Sequence, residues 1–278
     1  MAEYSTTNRY GVMGNPISHS KSPIIHGRFA EQTGQSLIYF AIHVLPGDFA
    51  RAVADFQAEG GKGLSITLPF KEEARDLVDT LTPRARRADA VNTIRFDESG
   101  KKHGDNTDGI GLIRDLDENR MPVSGRRILL LGAGGAARGI IGPLLDTYPR
   151  EIVVANRTPE KAQELARQFA PDGPVTGCGL VELGSASFDL IINATSASLA
   201  GEVPAIADTA LRSRGWCYDL MYDAARPTPF VRWGKRHGAS RSVDGLGMLV
   251  EQAAEAFYLW RGIRPHTRPV IAALRDSP

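Results

Sequence analysis

A glycine-rich stretch follows directly after a short apolar run near the middle of the chain. The run Ile128 to Leu131 has the pattern of a strand that is buried on both faces of a parallel sheet. Gly132, Gly134 and Ala137 then match the spacing G-x-G-x-x-G/A. In this spacing the first glycine allows a tight turn, the second lets the backbone approach a pyrophosphate, and the third small residue packs a helix against the strand. The stretch therefore predicts a strand, a turn and a helix whose N-terminus binds phosphate.

Glycines alone would also fit an ordinary turn between a strand and a helix, so the context has to decide. A helical pattern follows the loop, and a second apolar run, Ile152 to Ala155, completes a βαβ unit of the expected length. We therefore predict a dinucleotide site. Its phosphate loop consists of Gly132, Ala133, Gly134, Gly135 and Ala136.

The end of the second strand indicates which dinucleotide is bound. Sites for NAD usually place Asp or Glu there to hold the ribose 2'-hydroxyl, whereas a cation there accommodates a 2'-phosphate. This chain has Asn156, Arg157 and Thr158, with Lys161 one helical turn later. Because a guanidinium beside a hydroxyl suits a phosphate, the prediction is NADP. A solvated basic turn is the alternative.

Composition and charge argue against several classes of partner. The 278 residues include 33 Lys and Arg against 32 Asp and Glu, without a basic block that would attract nucleic acid or an anionic membrane. No N-terminal apolar segment is present, and no stretch reaches the roughly 18 apolar residues of a membrane span. Cys178 and Cys217 have no metal-site spacing. We expect a cytoplasmic protein, monomer or homodimer, without a metal.

Three hydroxyl side chains precede the first predicted helix. Ser22 followed by Pro23 predicts an N-cap and a first helical residue. Ser18, Ser20 and Ser22, with Lys21, also form a group that could bind a carboxylate at a helix N-terminus. A small-anion site and a plain helix cap both remain open.

Lys71 stands in a position that is unfavourable for structure alone. Leu64, Ile66 and Leu68 predict one face of a strand, which leaves Ser65 and Thr67 on the other face. Pro69 then predicts a helix with Lys71 in its first turn, where the positive end of the helix dipole opposes a cation. This conflict favours an acid-base role for Lys71. A salt bridge to Glu72, Glu73 or a later acid is the alternative.

Further polar residues lie at predicted element ends. Val91 to Phe96 is a predicted strand with Asn92 at its beginning, where Asn92 could be a plain edge residue. The segment G-D-N-T-D-G at 104–109 is a dense turn with Asp108 as a candidate N-cap. Helix capping explains Asp108 but not the whole polar segment 104–109, so we expect a functional site in this segment. Gln252 borders an apolar helical stripe, either exposed at its margin or buried with a partner.

The second half alternates strands and helices, which predicts a parallel, doubly wound sheet. Predicted strands are Ile128 to Leu131, Ile152 to Ala155, Leu190 to Ala194 and Trp216 to Leu220. Asn193 to Ser196 lies at a carboxyl end of this sheet, the edge at which ligands of such sheets bind, although an ordinary polar turn would look the same.

Eight segments together resemble the shikimate dehydrogenase family, in the same order and along nearly the whole chain. They are G-N-P-I-S-H-S-K-S-P, L-P-F-K-E, A-V-N-T, G-D-N-T-D-G, G-A-G-G-A-A-R-G, N-R-T, N-A-T-S and D-G-L-G-M-L-V-E-Q-A-A. No single segment is decisive, but eight in register are highly specific. The resemblance implies an enzyme that reversibly reduces 3-dehydroshikimate to shikimate with NADPH, in the route to aromatic amino acids.

The resemblance also implies roles for the matching positions. Lys71 would be the acid-base residue, and Asp108 would pair with Lys71 and orient the neighbouring hydroxyl. The residues that would contact substrate are Ser20 and Ser22 at its carboxylate, Thr67, Asn92, Asp108 and Gln252 at its ring hydroxyls, and Tyr222 nearby. Thr195, Leu220 and Gly245 would lie on the nicotinamide side of the cofactor.

The predicted fold is α/β with two domains. Residues 108–245 would form a Rossmann-type, doubly wound NADP-binding domain. Residues 1–107 and 246–278 would form an α/β substrate-binding domain, completed by the C-terminal helices.

This sequence departs from the family pattern at four places: Ser65 replaces a usual Asn, Lys161 a frequent Arg, Leu220 a frequent Met, and Ser198 a Gly. None of these changes removes a proton carrier. Ser65, with Ser18, leaves open an enzyme that acts on quinate or on both acids, with NADP or NAD. A regulatory module that binds NADP(H) or a shikimate-like acid without turnover is a second alternative, against which Lys71 and Asp108 argue.

Overall fold

The computed structural model describes residues 7–223 and 226–276, and these divide into two compact units. The first unit comprises the described residues up to Asp108 together with Val250–Val270. The second unit comprises Gly109–Leu249 and the described residues from Ile271 onward. Each unit has its own sheet and its own apolar core.

The first unit contains a mixed six-stranded sheet in the order β2-β1-β3-β5-β6-β4. Its strands are β1 (Asn8–Gly14), β2 (Leu37–His43), β3 (Gly61–Ile66), β4 (Thr80–Leu81), β5 (Thr93–Phe96) and β6 (Lys102–Asp105). Strand β1 is parallel to β2 and β3, whereas β5 is antiparallel to both β3 and β6. The helices are α1 (Ser22–Thr33), α2 (Phe49–Ala58), α3 (Lys71–Leu77) and α4 (Pro83–Ala88), and α5 (Asp108–Glu118) begins at the last residue of this segment.

Apolar spacing explains how α2 packs in the first unit. Phe49, Val53 and Phe56 recur at helical intervals and are buried in the same core cluster as Leu64 of β3. Phe70, directly before α3, stacks on Phe49 with ring centroids 4.9 Å apart. This stacking anchors the beginning of α3 against the core.

The second unit contains a six-stranded sheet in which every pair of neighbouring strands is parallel, in the order β12-β11-β10-β7-β8-β9. Its strands are β7 (Arg127–Leu131), β8 (Glu151–Asn156), β9 (Val175–Gly179), β10 (Phe188–Asn193), β11 (Leu211–Asp219) and β12 (Arg241–Asp244). The remaining helices of the chain are α6 (Gly135–Leu145), α7 (Pro159–Phe169), α8 (Pro229–Arg236), α9 (Leu246–Arg261) and α10 (Arg268–Asp276). Of α9, the residues from Val250 onward belong to the first unit. The chain leaves β7 toward β8 on one side and reaches β10 on the other, so β7 is the topological switch point. The predicted α/β fold with a doubly wound sheet is confirmed.

Several local predictions were wrong. Helix α1 begins at Ser22 itself, with Lys21 at the cap position and no side-chain cap hydrogen bond. Strand β3 ends at Ile66, so Thr67 and Leu68 lie in a turn rather than on its faces, and α3 begins at Lys71, two residues after Pro69. The local sequence would allow β3 to end at Ile66 or at Leu68, and backbone pairing with the neighbouring strands selects Ile66.

The structural units differ from the predicted domain boundaries at the C-terminal end. Residues 246–249 and the described residues from Ile271 onward belong to the second unit, where Arg275 donates to the Asp244 carboxylate, with Nη1 2.7 Å from Oδ2. This charged contact ties α10 to the end of β12. That the first unit binds substrate and the second binds NADP stays a prediction.

Candidate active site

Lys71 and Asp108 form an ion pair in the first unit. Lys71 is the first residue of α3 and Asp108 the first residue of α5. The Lys71 Nζ lies 2.5 Å from Asp108 Oδ2, and their side chains are only 14% and 7% exposed. The partner of Lys71 is thus a later acid rather than Glu72 or Glu73. Because both side chains are largely removed from water, solvent and salt screen this pair much less than a surface ion pair.

Asn92 connects this pair to the turn before α5. Its Nδ2 donates to Asp108 Oδ1 at 2.8 Å and to Thr107 Oγ1 at 3.0 Å, and its Oδ1 accepts from the Thr107 backbone N–H at 2.9 Å. The Thr93 hydroxyl also donates to Asn92 Oδ1, at 2.8 Å. Asn92 is buried, with hydrogen bonds on both ends of its amide, and is not a plain edge residue.

Gln252 reaches the same group from α9. Its Oε1 accepts from the Thr107 hydroxyl at 3.3 Å and from Asn92 Nδ2 at 3.4 Å. Its neighbour Ala253, with Ala256 and Phe257, is buried in the first unit. The structure thus gives Gln252 polar partners beside the apolar stripe. We call Lys71, Asn92, Thr107, Asp108 and Gln252 the polar cluster.

Ser20, Ser22 and Thr67 lie outside the hydrogen bonds of the polar cluster. The Ser20 hydroxyl accepts from the Ser22 backbone N–H at 3.3 Å, and Ser22 is buried at the start of α1. The Thr67 N–H donates to the Met13 carbonyl of β1 at 2.9 Å. A side chain at Gly14 would come within 2.3 Å of Thr67 Cγ2, so glycine is needed for this close approach.

Ser65, the departure on β3, is buried and contacts a tyrosine. The Tyr39 hydroxyl donates to Ser65 Oγ at 2.8 Å. Burial raises the pKa of Tyr39, although the hydrogen bond with Ser65 acts against this shift. Tyr39 stacks on His26, with ring centroids 4.2 Å apart. Ser65 is therefore held by a hydrogen bond from a buried tyrosine of the core.

The predicted phosphate loop lies at the carboxyl end of β7 in the second unit. Gly132 has a φ of +103°, a conformation that other residues rarely adopt, and its N–H donates to the Ala155 carbonyl at 2.8 Å. Gly134 caps α6 without a side-chain hydrogen bond, and a Cβ there would have no neighbour within 4 Å. The first N–H groups of α6, from Gly135 and Ala136 onward, have no intrahelical acceptor and suit an anion.

The basic residues at the end of β8 are exposed. Arg157, Thr158 and Lys161 are all accessible, and Arg157 and Lys161 form no ion pair within residues 7–223 and 226–276. Asn156 Nδ2 donates to the Thr158 carbonyl at 3.0 Å, which shapes this turn. Both cations are available to an anionic ligand at the carboxyl edge of the sheet.

A buried carboxylate organises the loops after β10 and β11, and the sequence analysis missed it. Asp219 accepts from Asn193 Nδ2 at 2.9 Å and from the Ser198 and Thr228 hydroxyls at 2.6 Å each. Burial raises the pKa of Asp219, although its hydrogen bonds act in the opposite direction. Ser198, where the resemblance implies glycine, thus makes a direct contact with this carboxylate.

The other positions assigned to the cofactor lie along the same edge of the sheet. Thr195 donates through its N–H and its hydroxyl to Asn193 Oδ1, at 3.1 and 2.6 Å. Leu220 follows the end of β11 and Gly245 follows the end of β12. A Cβ at Gly245 would lie 2.4 Å from the Leu220 carbonyl oxygen, so these two loops touch. Tyr222 lies three residues beyond the end of β11.

Thr107, Asn106 and Asp219 are the polar residues that sequence reasoning did not single out. Asn106 Oδ1 accepts from the Asp108 N–H at 3.1 Å and so caps the turn that presents Asp108. The unusually polar run at 104–109 was the available signal for Asn106 and Thr107. For Asp219 the signal was a charged residue directly after an apolar strand.

The described residues offer neither a metal site nor a membrane-spanning helix. No group of three or more His, Cys, Asp and Glu side chains there could hold a metal ion. No helix in the same residues has the length and apolar character needed to cross a membrane. Cys178 and Cys217 are both free thiols, and burial raises the pKa of Cys217 to about 12.

Three family models match successive parts of the chain. Residues 12–94 match the shikimate dehydrogenase substrate binding domain, residues 115–229 match shikimate / quinate 5-dehydrogenase, and residues 245–275 match the shikimate 5'-dehydrogenase C-terminal domain. The first match lies in the first unit and the second match lies in the second unit, whereas the third includes Val250–Val270 of the first unit.

Individual proteins resemble the chain over nearly its full length. An NADP(+) shikimate dehydrogenase of Nitrosococcus oceani is 56% identical over 269 residues, 96% of this chain and 95% of that protein. The crystal structure of the Ael1 enzyme from Pseudomonas putida has a TM-score of 0.85 at 46% identity, covering 96% of this chain and 98% of that chain. Shikimate 5-dehydrogenase of Thermus thermophilus, solved with NADP(H) and shikimate, has a TM-score of 0.85 at 31% identity, covering 98% of this chain and all of that chain (100%).

Proposed function

The chain belongs to the shikimate dehydrogenase family, and from this premise we propose that it catalyses the reversible, NADP-dependent reduction of 3-dehydroshikimate to shikimate in aromatic amino acid biosynthesis. The single observation that carries the proposal is the buried Lys71–Asp108 pair, joined to Asn92 and Gln252 by hydrogen bonds. A proton carrier beside hydroxyl-binding amides is what reduction of a polyhydroxylated ring ketone requires. The first unit would bind substrate and the second would bind NADP.

The residues of the second unit fit the cofactor. Gly134 leaves open space where a side chain would stand, which gives a pyrophosphate access to the N-terminus of α6. Gly132, Ala133, Gly135 and Ala136 complete that loop. Arg157, Thr158 and Lys161 offer two cations and a hydroxyl for the 2'-phosphate, and Asn156 shapes their turn. Thr195, Leu220 and Gly245 would border the nicotinamide.

The first unit would position the substrate and supply the proton that its carbonyl oxygen takes up. When bound, NADPH supplies a hydride to the carbonyl carbon of the substrate. Lys71 donates a proton from Nζ to the carbonyl oxygen, so that the ketone becomes a secondary alcohol. Asp108 holds the ammonium group before this transfer and accepts a hydrogen bond from the neighbouring substrate hydroxyl. In the oxidation of shikimate, Lys71 Nζ accepts the hydroxyl proton.

The remaining substrate contacts follow from the family pattern. Thr67, Asn92 and Gln252 would hold ring hydroxyls, Ser20 and Ser22 would hold the carboxylate, and Tyr222 would lie near the ring. A carboxylate is well placed beside the hydroxyl and backbone groups at the start of α1.

We also propose finer properties of the enzyme. Two free cysteines and a requirement for NADPH favour the cytoplasm. We expect a monomer or a homodimer, which light scattering at several concentrations would distinguish. Shikimate is the proposed substrate over quinate, although Ser65 in place of Asn keeps a dual preference as the alternative.

A spectrophotometric assay tests the proposal. Shikimate and NADP+ are added to the purified protein, and we expect the NADPH absorbance band to grow, faster than with quinate or with NAD+. Equal kcat/KM for shikimate and quinate would establish the dual enzyme instead. Absence of any absorbance change at several pH values, with binding of either ligand detected by calorimetry, would establish a binding module and refute the proposed catalysis.

A further inference from the structure

Arg84, in the first turn of α4, contacts two buried carboxylates of the first unit. Its Nε and Nη2 donate to Asp105 Oδ1 and Oδ2, at 2.6 and 2.8 Å. Its Nη1 donates to Glu255 Oε1 on α9, at 3.1 Å. The Asp105 and Glu255 side chains are only 7% and 8% exposed. One guanidinium therefore bridges two chain segments that are far apart in sequence.

The chemistry of this bridge is specific to arginine. Two buried carboxylates would be costly without a cation, and a planar guanidinium can donate to both in fixed directions, which an ammonium group does not. Burial alone would lower the pKa of Arg84, but hydrogen bonds and charges from Asp105 and Glu255 outweigh burial and raise it. Arg84 thus stays charged over the whole range in which the enzyme would work.

One arm of the bridge leads to Asp108. Asp105 Oδ1, which Arg84 contacts, also accepts from the Asn106 backbone N–H at 2.7 Å and from the Thr82 hydroxyl at 2.6 Å. Asn106 Oδ1 in turn accepts from the Asp108 N–H at 3.1 Å. The Asp105 carboxylate therefore shapes the turn that points Asp108 at Lys71.

The other arm leads to Gln252. Glu255 follows Gln252 by three residues on α9, so both side chains lie on the same side of that helix. Gln252 Oε1 accepts from the Thr107 hydroxyl at 3.3 Å, in the turn that ends at Asp108. The two arms thus lead to two members of the polar cluster, Asp108 and Gln252.

We propose that Arg84 is a positioning residue for the substrate, because it sets the separation between the Asp108 turn and the part of α9 that presents Gln252. This inference rests on the proposed function. A shift of about 1 Å in such a group can cost about 100-fold in rate. Since Arg84 and both its partners belong to the first unit, loss of Arg84 should change the binding and turnover of shikimate but not the binding of NADP+.

The test compares Arg84→Met and Arg84→Lys with the wild-type enzyme. For Arg84→Met we expect the KM for shikimate to rise about tenfold and kcat to fall about tenfold, with the KM for NADP+ within about twofold of wild type. Arg84→Lys keeps the positive charge but loses the planar guanidinium, and we expect its KM for shikimate and its kcat to lie between those of Arg84→Met and the wild type. Single-arm variants separate the two effects: Asp105→Asn lowers mainly kcat, and Glu255→Gln raises mainly the KM for shikimate.

Two controls exclude a general loss of stability. Arg264→Met removes another cation from Glu255 without touching Asp105, and we expect it to keep wild-type kcat. Val53→Ala removes buried core volume in α2 and lowers stability without breaking a polar contact. Urea unfolding of Val53→Ala and Arg84→Met compares their stability directly.

Each outcome decides between the two proposals. A wild-type protein that does not oxidise shikimate refutes the proposed function itself. An active wild type refutes the role of Arg84 if Arg84→Met keeps kcat and the KM for shikimate, if it weakens shikimate and NADP+ equally, or if Val53→Ala reproduces its kinetics. A selective effect on shikimate, partly restored by lysine, supports the inference.

Discussion

The polar cluster of the first unit and the phosphate loop of the second unit are held in place by different parts of the chain. In the polar cluster, the side chains of Lys71 on α3, of Asn92 just before β5, of Thr107 and Asp108 at the start of α5, and of Gln252 on α9 hold one another through hydrogen bonds. In the phosphate loop, Gly132 and Gly134 act through their backbone and through the side chains they lack. Substitutions in the cluster should therefore change several contacts at once, whereas substitutions in the loop should act locally.

Replacement of Lys71 should have the largest effect and tests the cluster directly. For Lys71→Ala we expect kcat to fall by about 100-fold or more, because the proton carrier is lost and the Asp108 carboxylate loses its counter-ion. Stopped-flow or steady-state absorbance assays measure kcat, and cofactor titration should show little change. Lys62→Ala, an exposed lysine of β3, is the matched control. Turnover near the wild-type rate in Lys71→Ala would show that the cluster does not carry the proton.

Replacement of Arg157 tests the other region through its exposed side chain. In Arg157→Ala we expect the Kd for NADPH to rise about tenfold, because a charged hydrogen bond to the 2'-phosphate is lost, while NADH binding stays the same. Fluorescence titration of both cofactors measures this difference, and it should shrink at high salt. Arg167→Ala, an exposed arginine of α7, is the control. Equal weakening of both cofactors would point to damage of the fold instead of a phosphate contact.

The two regions also differ in how far the sequence could predict them. The glycine turn between β7 and α6 could be predicted because its signal lies in consecutive residues, and the place of Arg157 could be predicted because it follows a recognisable strand. Their contacts with the cofactor stay predictions. Strands β9 and β12 were missed because V-T-G-C-G and R-S-V-D have neither an apolar run nor clean alternation.

For the polar cluster, local patterns marked single residues, and only the resemblance to the family predicted that Lys71 and Asp108 pair. Lys71 and Asp108 each stood out, yet their pairing depends on how β5 and β6 bring together residues that are 37 positions apart. The bridge from Arg84 to Asp105 and Glu255 joins residues 21 and 171 positions apart, with no local pattern that marks it. Tertiary pairing decides such contacts, and periodicity within one element carries no information about it.

A buried histidine should make the first unit sensitive to acid. His26 lies among Tyr39, Phe29, Phe257 and Trp260, and neither of its ring nitrogens has a hydrogen-bond partner in the described residues. Burial lowers the pKa of His26 from 6.5 to about 3. The folded state therefore binds fewer protons than the unfolded chain between these values, and its stability falls as the pH drops below 6.5. Asp219 in the second unit has a raised pKa, so its contribution has the opposite sign.

His26→Phe should remove this acid sensitivity. We expect the wild type to lose about 2 kcal/mol of unfolding free energy from His26 between pH 7 and pH 5, and the variant to lose correspondingly less. Urea unfolding at both pH values measures the difference, and hydrogen exchange of peptides from the first unit locates it. His19→Phe, at an exposed histidine, should behave like the wild type. An identical loss in His26→Phe would place the acid sensitivity elsewhere.

A matched pair of glycine substitutions should give the smallest effects and the sharpest view of the phosphate loop. Gly132→Ala should lower the unfolding free energy by about 1–2 kcal/mol, because its φ of +103° is strained for alanine and its Cβ would lie 3.1 Å from the Ala194 carbonyl oxygen. Gly134→Ala should change stability by less than about 0.5 kcal/mol, since the added methyl group meets no atom within 4 Å.

NADPH binding then separates the two glycines by role. Gly134→Ala, although stable, should still weaken NADPH, because its methyl group occupies the space through which a pyrophosphate would approach α6. Thermal unfolding with and without NADPH measures both quantities in one experiment. If Gly134→Ala bound NADPH as tightly as the wild type, the open space at Gly134 would not belong to the cofactor site, and the loop would be a turn required only by the fold.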